Sequence, residues 1–250
     1  EAKIKANGDS PQERAEMRAE TVFAEGSIYR RKFVERERKL SAERPTVAID
    51  LSATIADWDM EGKRFVIRPG IIDLLRQLRA KQVRLVLWTD LKKKMVESFF
   101  RFLHEEVSDL DGVFDLAITR ENYAKFDSEA AEENYLELLA TYEMLGASEA
   151  ALREYYRLFY TYLPKDINLL GYQLIIDDSI DLKNIVQGSP LWDGERAYLQ
   201  IEEFSALAFL RDDSIYSRLY AVQRTDVGDV RVPLTIDSIL KMLALQRPNQ

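Results

Sequence analysis

From Thr46 onward the chain alternates short apolar runs with stretches of helical periodicity, and this alternation most narrows the folds open to it. The strand-like runs are Thr46 to Ile49, Val83 to Trp88, Val113 to Ile118 and Tyr172 to Ile176, with helical patterns starting near Pro69 and Leu91 between them. Strands separated by helices pair in parallel, because a helix-length crossover returns the chain to the same edge of a sheet. The expectation is an α/β fold on a Rossmann-like parallel sheet, with ligands beyond the carboxyl ends of its strands. Residues Ile55 to Ile67, turning at Asp59-Met60-Glu61-Gly62, read as a β-hairpin flap over that edge, directly after the first strand.

Three regions depart from the alternation. Residues 1–44 read as a charged helical arm, with an N-cap at Ser10, Pro11 at the first helical position and basic residues interleaved with apolar ones from Ile28 to Leu40. Such a helix either lies solvated along the domain or meets a partner or an anionic surface. Residues 120–162, within the 45–212 domain, read as an inserted acidic helical hairpin joined at Gly146-Ala147-Ser148, with Ser148 as N-cap of its second helix. Tyr135, Leu139 and Tyr142 mark one helix face of the hairpin, and Leu152, Tyr156 and Phe159 the other. From Glu121 to Tyr162 nine acidic residues stand against three basic ones, most of the net charge of -8. After Leu191 helical patterns recur near Ile201 to Leu210 and Ser214 to Gln223, followed by a strand-like Asp229 to Val232 and a last helix from Thr235 to about Leu245. Residues 213–250 thus read as a helical extension.

Composition excludes several function classes. A net charge of -8 does not suit a general nucleic-acid binder, which needs a dominant basic surface to displace counterions. No apolar run approaches the roughly 18 to 20 residues that span a bilayer, so no transmembrane segment is expected in this chain. The chain does not begin with Met, which leaves open an anchor or targeting segment upstream of Glu1. The absence of cysteine removes disulfides, thiolate nucleophiles and cysteine-ligated zinc, and leaves the redox compartment undetermined. The single histidine, His104, follows Phe99-Phe100-Arg101-Phe102-Leu103 and reads as part of a packing helix, since no convergent partner marks it as a general base.

Four features fall at successive strand ends: Asp50, Thr89, Lys165 and the pair Asp177-Asp178. Placed together on one sheet edge, they suit an aspartyl-phosphate mechanism. A carboxylate attacks phosphorus once the phosphoryl charge is neutralised and the reactants are held in line. Magnesium held by Asp50 and Asp177 would offset the repulsion, Lys165 would neutralise a phosphate oxygen and Thr89 would hydrogen-bond another. The blander reading is that Lys165 merely neutralises two inherited strand-end carboxylates so that the fold is stable.

Arg68-Pro69-Gly70, Leu87-Trp88-Thr89, Lys165-Asp166 with Leu170-Gly171, and Ile175-Ile176-Asp177-Asp178-Ser179 resemble the haloacid-dehalogenase-like superfamily. The resemblance is to its branch of NLI-interacting-factor and RNA polymerase II C-terminal-domain phosphatases, which includes the presequence-receptor subunit of the mitochondrial inner-membrane translocase. It spans about Thr46 to Phe204. It implies a sheet of the haloacid-dehalogenase type, Asp50 as nucleophile, Thr89 and Lys165 as phosphate ligands, and Asp50, Asp177 and Asp178 around magnesium. The family's first motif, Asp-x-Asp-x-Thr or Val, here reads Asp50-Leu51-Ser52-Ala53-Thr54, so Ser52 replaces the general acid/base.

Two functions follow. In one, the chain is a degenerate phosphatase-like domain acting as a binding or structural subunit among other protein subunits. Its acidic insert would favour basic targeting peptides, and the resemblance implies a mitochondrial setting. In the other it is a magnesium-dependent protein phosphatase working through Asp50, with its acid/base drawn from Asp57, Asp59 or Glu61 on the flap.

Overall fold

A computed structural model describes residues 22–123, 129–157, 165–216, 219–225 and 228–245. The expectations for Ser10, Pro11, Tyr135 and Phe159 concern side chains or segments outside that description.

Six strands form one sheet: β1 (Val22–Phe23), β2 (Thr46–Ile49), β5 (Arg84–Trp88), β6 (Leu116–Ile118), β7 (Leu174–Asp177) and β8 (Ala197–Gln200). Their spatial order is β1-β6-β5-β2-β7-β8, and every pair is parallel. The chain builds outward from β2 through β5 and β6, then returns to the other side of β2 with β7. The strand order therefore reverses between β2 and β7, and that crevice is where open α/β sheets bind ligands.

The central strands are covered on both faces, as a parallel sheet requires. Val47, Ile49, Leu85 and Leu87 pack with Leu74, Leu75 and Leu78 of α2 (Ile71–Ala80) and Val96, Phe99 and Leu103 of α3 (Lys93–Glu106). Ala48, Val86, Trp88 and Ile175 face the opposite layer. That layer holds α1 (Arg31–Glu43), α4 (Glu129–Met144), α5 (Glu149–Arg157) and the short α6 (Ile167–Leu170), through Val34, Tyr142, Leu152 and Leu169. The period-2 alternation of side chains along each strand sorts the two cores. Among the described residues no helix is long and apolar enough to cross a membrane.

Between β2 and α2 stands the antiparallel hairpin β3 (Ala56–Asp59) and β4 (Arg64–Ile67). Ser148 caps α5 as its sequence position predicts, accepting from the Ala151 N–H at 3.2 Å. The short helix α7 (Leu182–Gln187) follows β7.

Three expectations differ from the structure. Residues 22–44 do not stay outside the core as a charged arm: β1 pairs with β6, and Ile28, Tyr29 and Val34 are buried in the core. The interleaving of Arg and Lys disguised a helix with one apolar stripe, whose buried Glu37 is paired with Arg84 at 2.8 Å and accepts from the Tyr172 hydroxyl at 2.6 Å. The helical pattern at Ile201 to Leu210 shortens to α8 (Ala206–Arg211), capped by Ser205, because Ile201 is committed to the sheet edge through the Asp177 carbonyl. The helix expected over Ser214 to Gln223 is instead a turn at Asp213–Tyr216 and then strand β9 (Tyr220–Thr225), paired antiparallel with β10 (Gly228–Pro233). A short apolar run has no decisive period, and here the facing strand wins. The last helix, α9 (Ile236–Leu245), lies where it was expected and adds Ile239 and Leu243 to the core.

Candidate active site at the carboxyl edge of the sheet

Asp50 leaves the end of β2 with its N–H donated to the Ile176 carbonyl of β7 at 3.0 Å. That bond locks the two strands flanking the switch point, so Asp50 and Asp177 emerge side by side. Both are buried, with 4% and 3% of their surface exposed. Lys165 donates to Asp50 Oδ1 at 2.7 Å and to Asp177 Oδ2 at 2.8 Å. Asp177 Oδ1 also accepts from the Ser179 N–H at 2.8 Å. Asp178 completes the group: its Oδ1 accepts from the Thr54 hydroxyl at 2.8 Å, and its N–H returns a bond to that hydroxyl at 3.1 Å. One carboxylate oxygen from each of Asp50, Asp177 and Asp178 lies within 4.8 Å of the others.

Charge follows from this geometry. Burial raises the Asp50 pKa to about 7, against the pull of Lys165 and with a further push from Asp177. Burial and then Asp177 raise Asp178 as well, against the Thr54 hydrogen bond. For Lys165 burial acts downward, yet Asp177 and Asp50 override it and hold the ammonium well above its usual value. Lys165 offsets one of three carboxylates. With all three ionised, the group keeps two further negative charges, which match a divalent cation. This all-oxygen set, with Asp50 and Asp177 buried and Asp178 half-buried, could hold a hard metal ion.

The turn after Asp50 is tightly determined. Leu51 O accepts from the N–H groups of Ile55 and Ala56, both at 3.0 Å, and Ala53 N–H donates to Ala56 O at 3.0 Å. Ala53 is left-handed at φ 57°, unusual for a residue with a Cβ, and its carbonyl is held by the Phe204 N–H at 2.8 Å. Arg68, fully buried, spans the back of this turn: its guanidinium donates to the Glu202 carbonyl and sits 5.9 Å from the Phe204 ring centre. Burial lowers Arg68 to about 10. Ser52 is thus presented, half-buried, on a rigid turn.

The structure brings Asp50, Lys165, Asp177 and Asp178 together. Thr89, at the end of neighbouring β5, is buried, and its hydroxyl accepts from the Leu91 N–H at 3.3 Å. The hairpin carboxylates have other partners or none at the site. Asp57 accepts from the N–H groups of Trp58 at 2.8 Å and Ala206 at 2.9 Å, capping α8. Asp59 accepts from the Glu61 N–H at 3.0 Å and pairs with Arg64, while Glu61 is exposed at the hairpin tip. His104 is exposed on α3, 3.0 Å from Asp111.

Sequence reasoning missed the anchorage of Lys165. Its neighbour Asp166 is buried and accepts from Tyr142 at 2.5 Å, Ser189 at 2.6 Å and the Asn168 N–H at 3.0 Å. Burial raises the Asp166 pKa against these bonds. Only the adjacency of Lys165 and Asp166 carried a signal; Tyr142 read as packing. Within the insert Glu149 and Glu154 pair with Arg153 and Arg157, and Glu137 pairs with Arg30 of the layer beside it.

Scanned against protein-family models and searched against curated proteins, the chain matched none.

Proposed function

We propose that this chain is a degenerate phosphatase-like domain. In this reading it keeps a magnesium and phosphate pocket at Asp50, Lys165, Asp177 and Asp178, lacks the acid/base that turnover needs, and serves as a binding subunit of a larger assembly. The resemblance to the NLI-interacting-factor branch supplies the family and the mitochondrial setting, and the acidity of the insert supplies the basic partners; all three are proposals with it.

One observation carries the reading. Ser52 stands two residues after Asp50 on a fixed turn, and the hairpin carboxylates Asp57, Asp59 and Glu61 are engaged or exposed elsewhere. Asp50, Asp177 and Asp178 would hold the ion, whose role when bound is to neutralise phosphoryl charge. Lys165 holds both Asp50 and Asp177 in place. A serine hydroxyl can hydrogen-bond a leaving oxygen but does not protonate it or activate water near neutral pH, and a positioned acid/base is worth about 10²- to 10⁴-fold.

The test is turnover of an activated aryl phosphate and of a phosphopeptide, with and without magnesium, by the wild type, Asp50→Asn and Ser52→Asp. The expected result is near-background turnover in the wild type and a magnesium-dependent gain of about 10²-fold or more in Ser52→Asp. Robust wild-type turnover that Asp50→Asn abolishes would replace this reading with the phosphatase one.

A further inference from the structure

Tyr123 occupies the turn that follows β6, the strand beside β5 in the sheet. Its backbone is held from several sides. Thr119 and Asn122 form a capping box, and Asn122 Nδ2 donates to the Ala24 carbonyl at 2.8 Å and the Gly26 carbonyl at 2.9 Å. Ile28 N–H returns a bond to the Asn122 carbonyl at 3.0 Å. The ring packs among the buried residues of the α1 and α4 layer, leaving 4% of the residue exposed. A side chain placed this firmly has little freedom to turn its hydroxyl elsewhere.

That hydroxyl is buried and has no hydrogen-bond partner among the described residues. Buried hydroxyls are nearly always paired, so an orphan needs a cause. Tyr123 follows β6, whose last residue accepts from the Thr89 N–H at 3.0 Å, so it stands on the carboxyl edge of the sheet, within electrostatic reach of Lys165, Asp50, Asp90 and Asp177. The carboxylates only accept, and Lys165 spends two of its three N–H groups on Asp50 and Asp177, which leaves one charged donor there for an anion. Burial pushes the Tyr123 pKa up, so the phenol keeps its proton at neutral pH.

We propose that Tyr123 is a ligand-contacting residue of this pocket, its O–H donating to an oxygen of a bound phosphate or phosphoryl group. The inference rests on the reading of the pocket given above and adds to it a neutral donor that neither Asp50 nor Lys165 can supply. It also assigns the ligand's chemistry, a tetrahedral oxyanion bound together with a cation.

Tyr123→Phe removes only the hydroxyl and keeps the ring. Calorimetric titration of the folded chain with magnesium alone, and then with inorganic phosphate at saturating magnesium, separates the two ligands. The expected result is phosphate binding weakened about 10-fold or more, the usual loss of a hydrogen bond to an anion, with magnesium affinity within about twofold of wild type. The ligand-free variant should melt at or above the wild-type temperature, because an unpaired buried hydroxyl has been removed. Unchanged phosphate binding would overturn the inference. So would equal weakening of magnesium and phosphate, which would make Tyr123 a partner of the ion's water, or a lower melting temperature, which would reveal a structural partner. Failure of the wild type to bind phosphate in magnesium would instead overturn the pocket reading itself, and this inference with it.

Discussion

Asp50 is the residue at which a proton and a cation would compete. Its folded pKa, about 7, lies above that of an exposed carboxylate, so the bound proton stabilises the fold at acid pH, and that contribution is lost as pH rises through about 7. Asp178 is raised in the same direction, whereas the raised Lys165 contributes below its own unfolded value and loses stability only at alkaline pH. A cation competes with the Asp50 proton. The magnesium-induced rise in melting temperature should therefore be larger at about pH 8 than at about pH 6, and Asp50→Asn should flatten the difference. Scanning calorimetry at both values checks this; an equal rise at both would contradict it. Asp50, Thr89 and Asp177 were legible because strand ends in an alternating pattern can be counted along the chain, whereas Lys165 was expected at a strand end and instead precedes the short helix α6. Tyr123 was not legible, because nothing in Arg120-Glu121-Asn122-Tyr123 distinguishes a phenol aimed at the site from one packed in the core.

At the scale of elements, α4 and the Lys165 segment are joined by a buried polar knot. Tyr142 of α4 donates to Asp166, which also caps α6 through Asn168 and receives Ser189. Gly171 then ends α6 at φ 71°, where a Cβ would press on Arg38 at 3.3 Å. Tyr142→Phe should cost about 1.5 to 3 kcal/mol, the range for a buried hydrogen bond to a charged group. Hydrogen exchange over residues 165–170 should rise with it. Chemical denaturation and exchange mass spectrometry measure the two effects, and a variant as stable as wild type would show that the knot is not what places Lys165. The central strands β2, β5, β6 and β7 were readable from uninterrupted apolar runs, since both of their faces are buried. The partner-dependent strands were not: β1 has two residues, β8 is half-covered, and β9 exists by virtue of β10. No single-chain periodicity records a neighbour.

At the scale of the molecule, the described residues place the six-stranded parallel sheet between two helical layers, and the layer carrying α1 is built partly from residues the sequence presented as an arm. Ile28, Tyr29, Phe33 and Val34 enter that core, and Glu37 closes a buried ion pair with Arg84. Breaking such a pair by removing one member is costly, about 3 to 5 kcal/mol, because it strands the other charge. A chain begun at Pro45 should therefore lack a cooperative thermal transition, as read by circular dichroism. Retention of a wild-type melt would restore the reading of residues 1–44 as a charged arm outside the core. The same three-layer frame makes the site possible: only a sheet whose order reverses between β2 and β7 delivers Asp50 and Asp177 side by side. The most direct measurement is calorimetric titration of the wild type, Asp177→Asn and Asp50→Asn with magnesium at neutral pH. The account predicts saturable uptake of a single ion by the wild type, lost in Asp177→Asn and weakened in Asp50→Asn. Identical titrations for all three, or no uptake by the wild type, would contradict it.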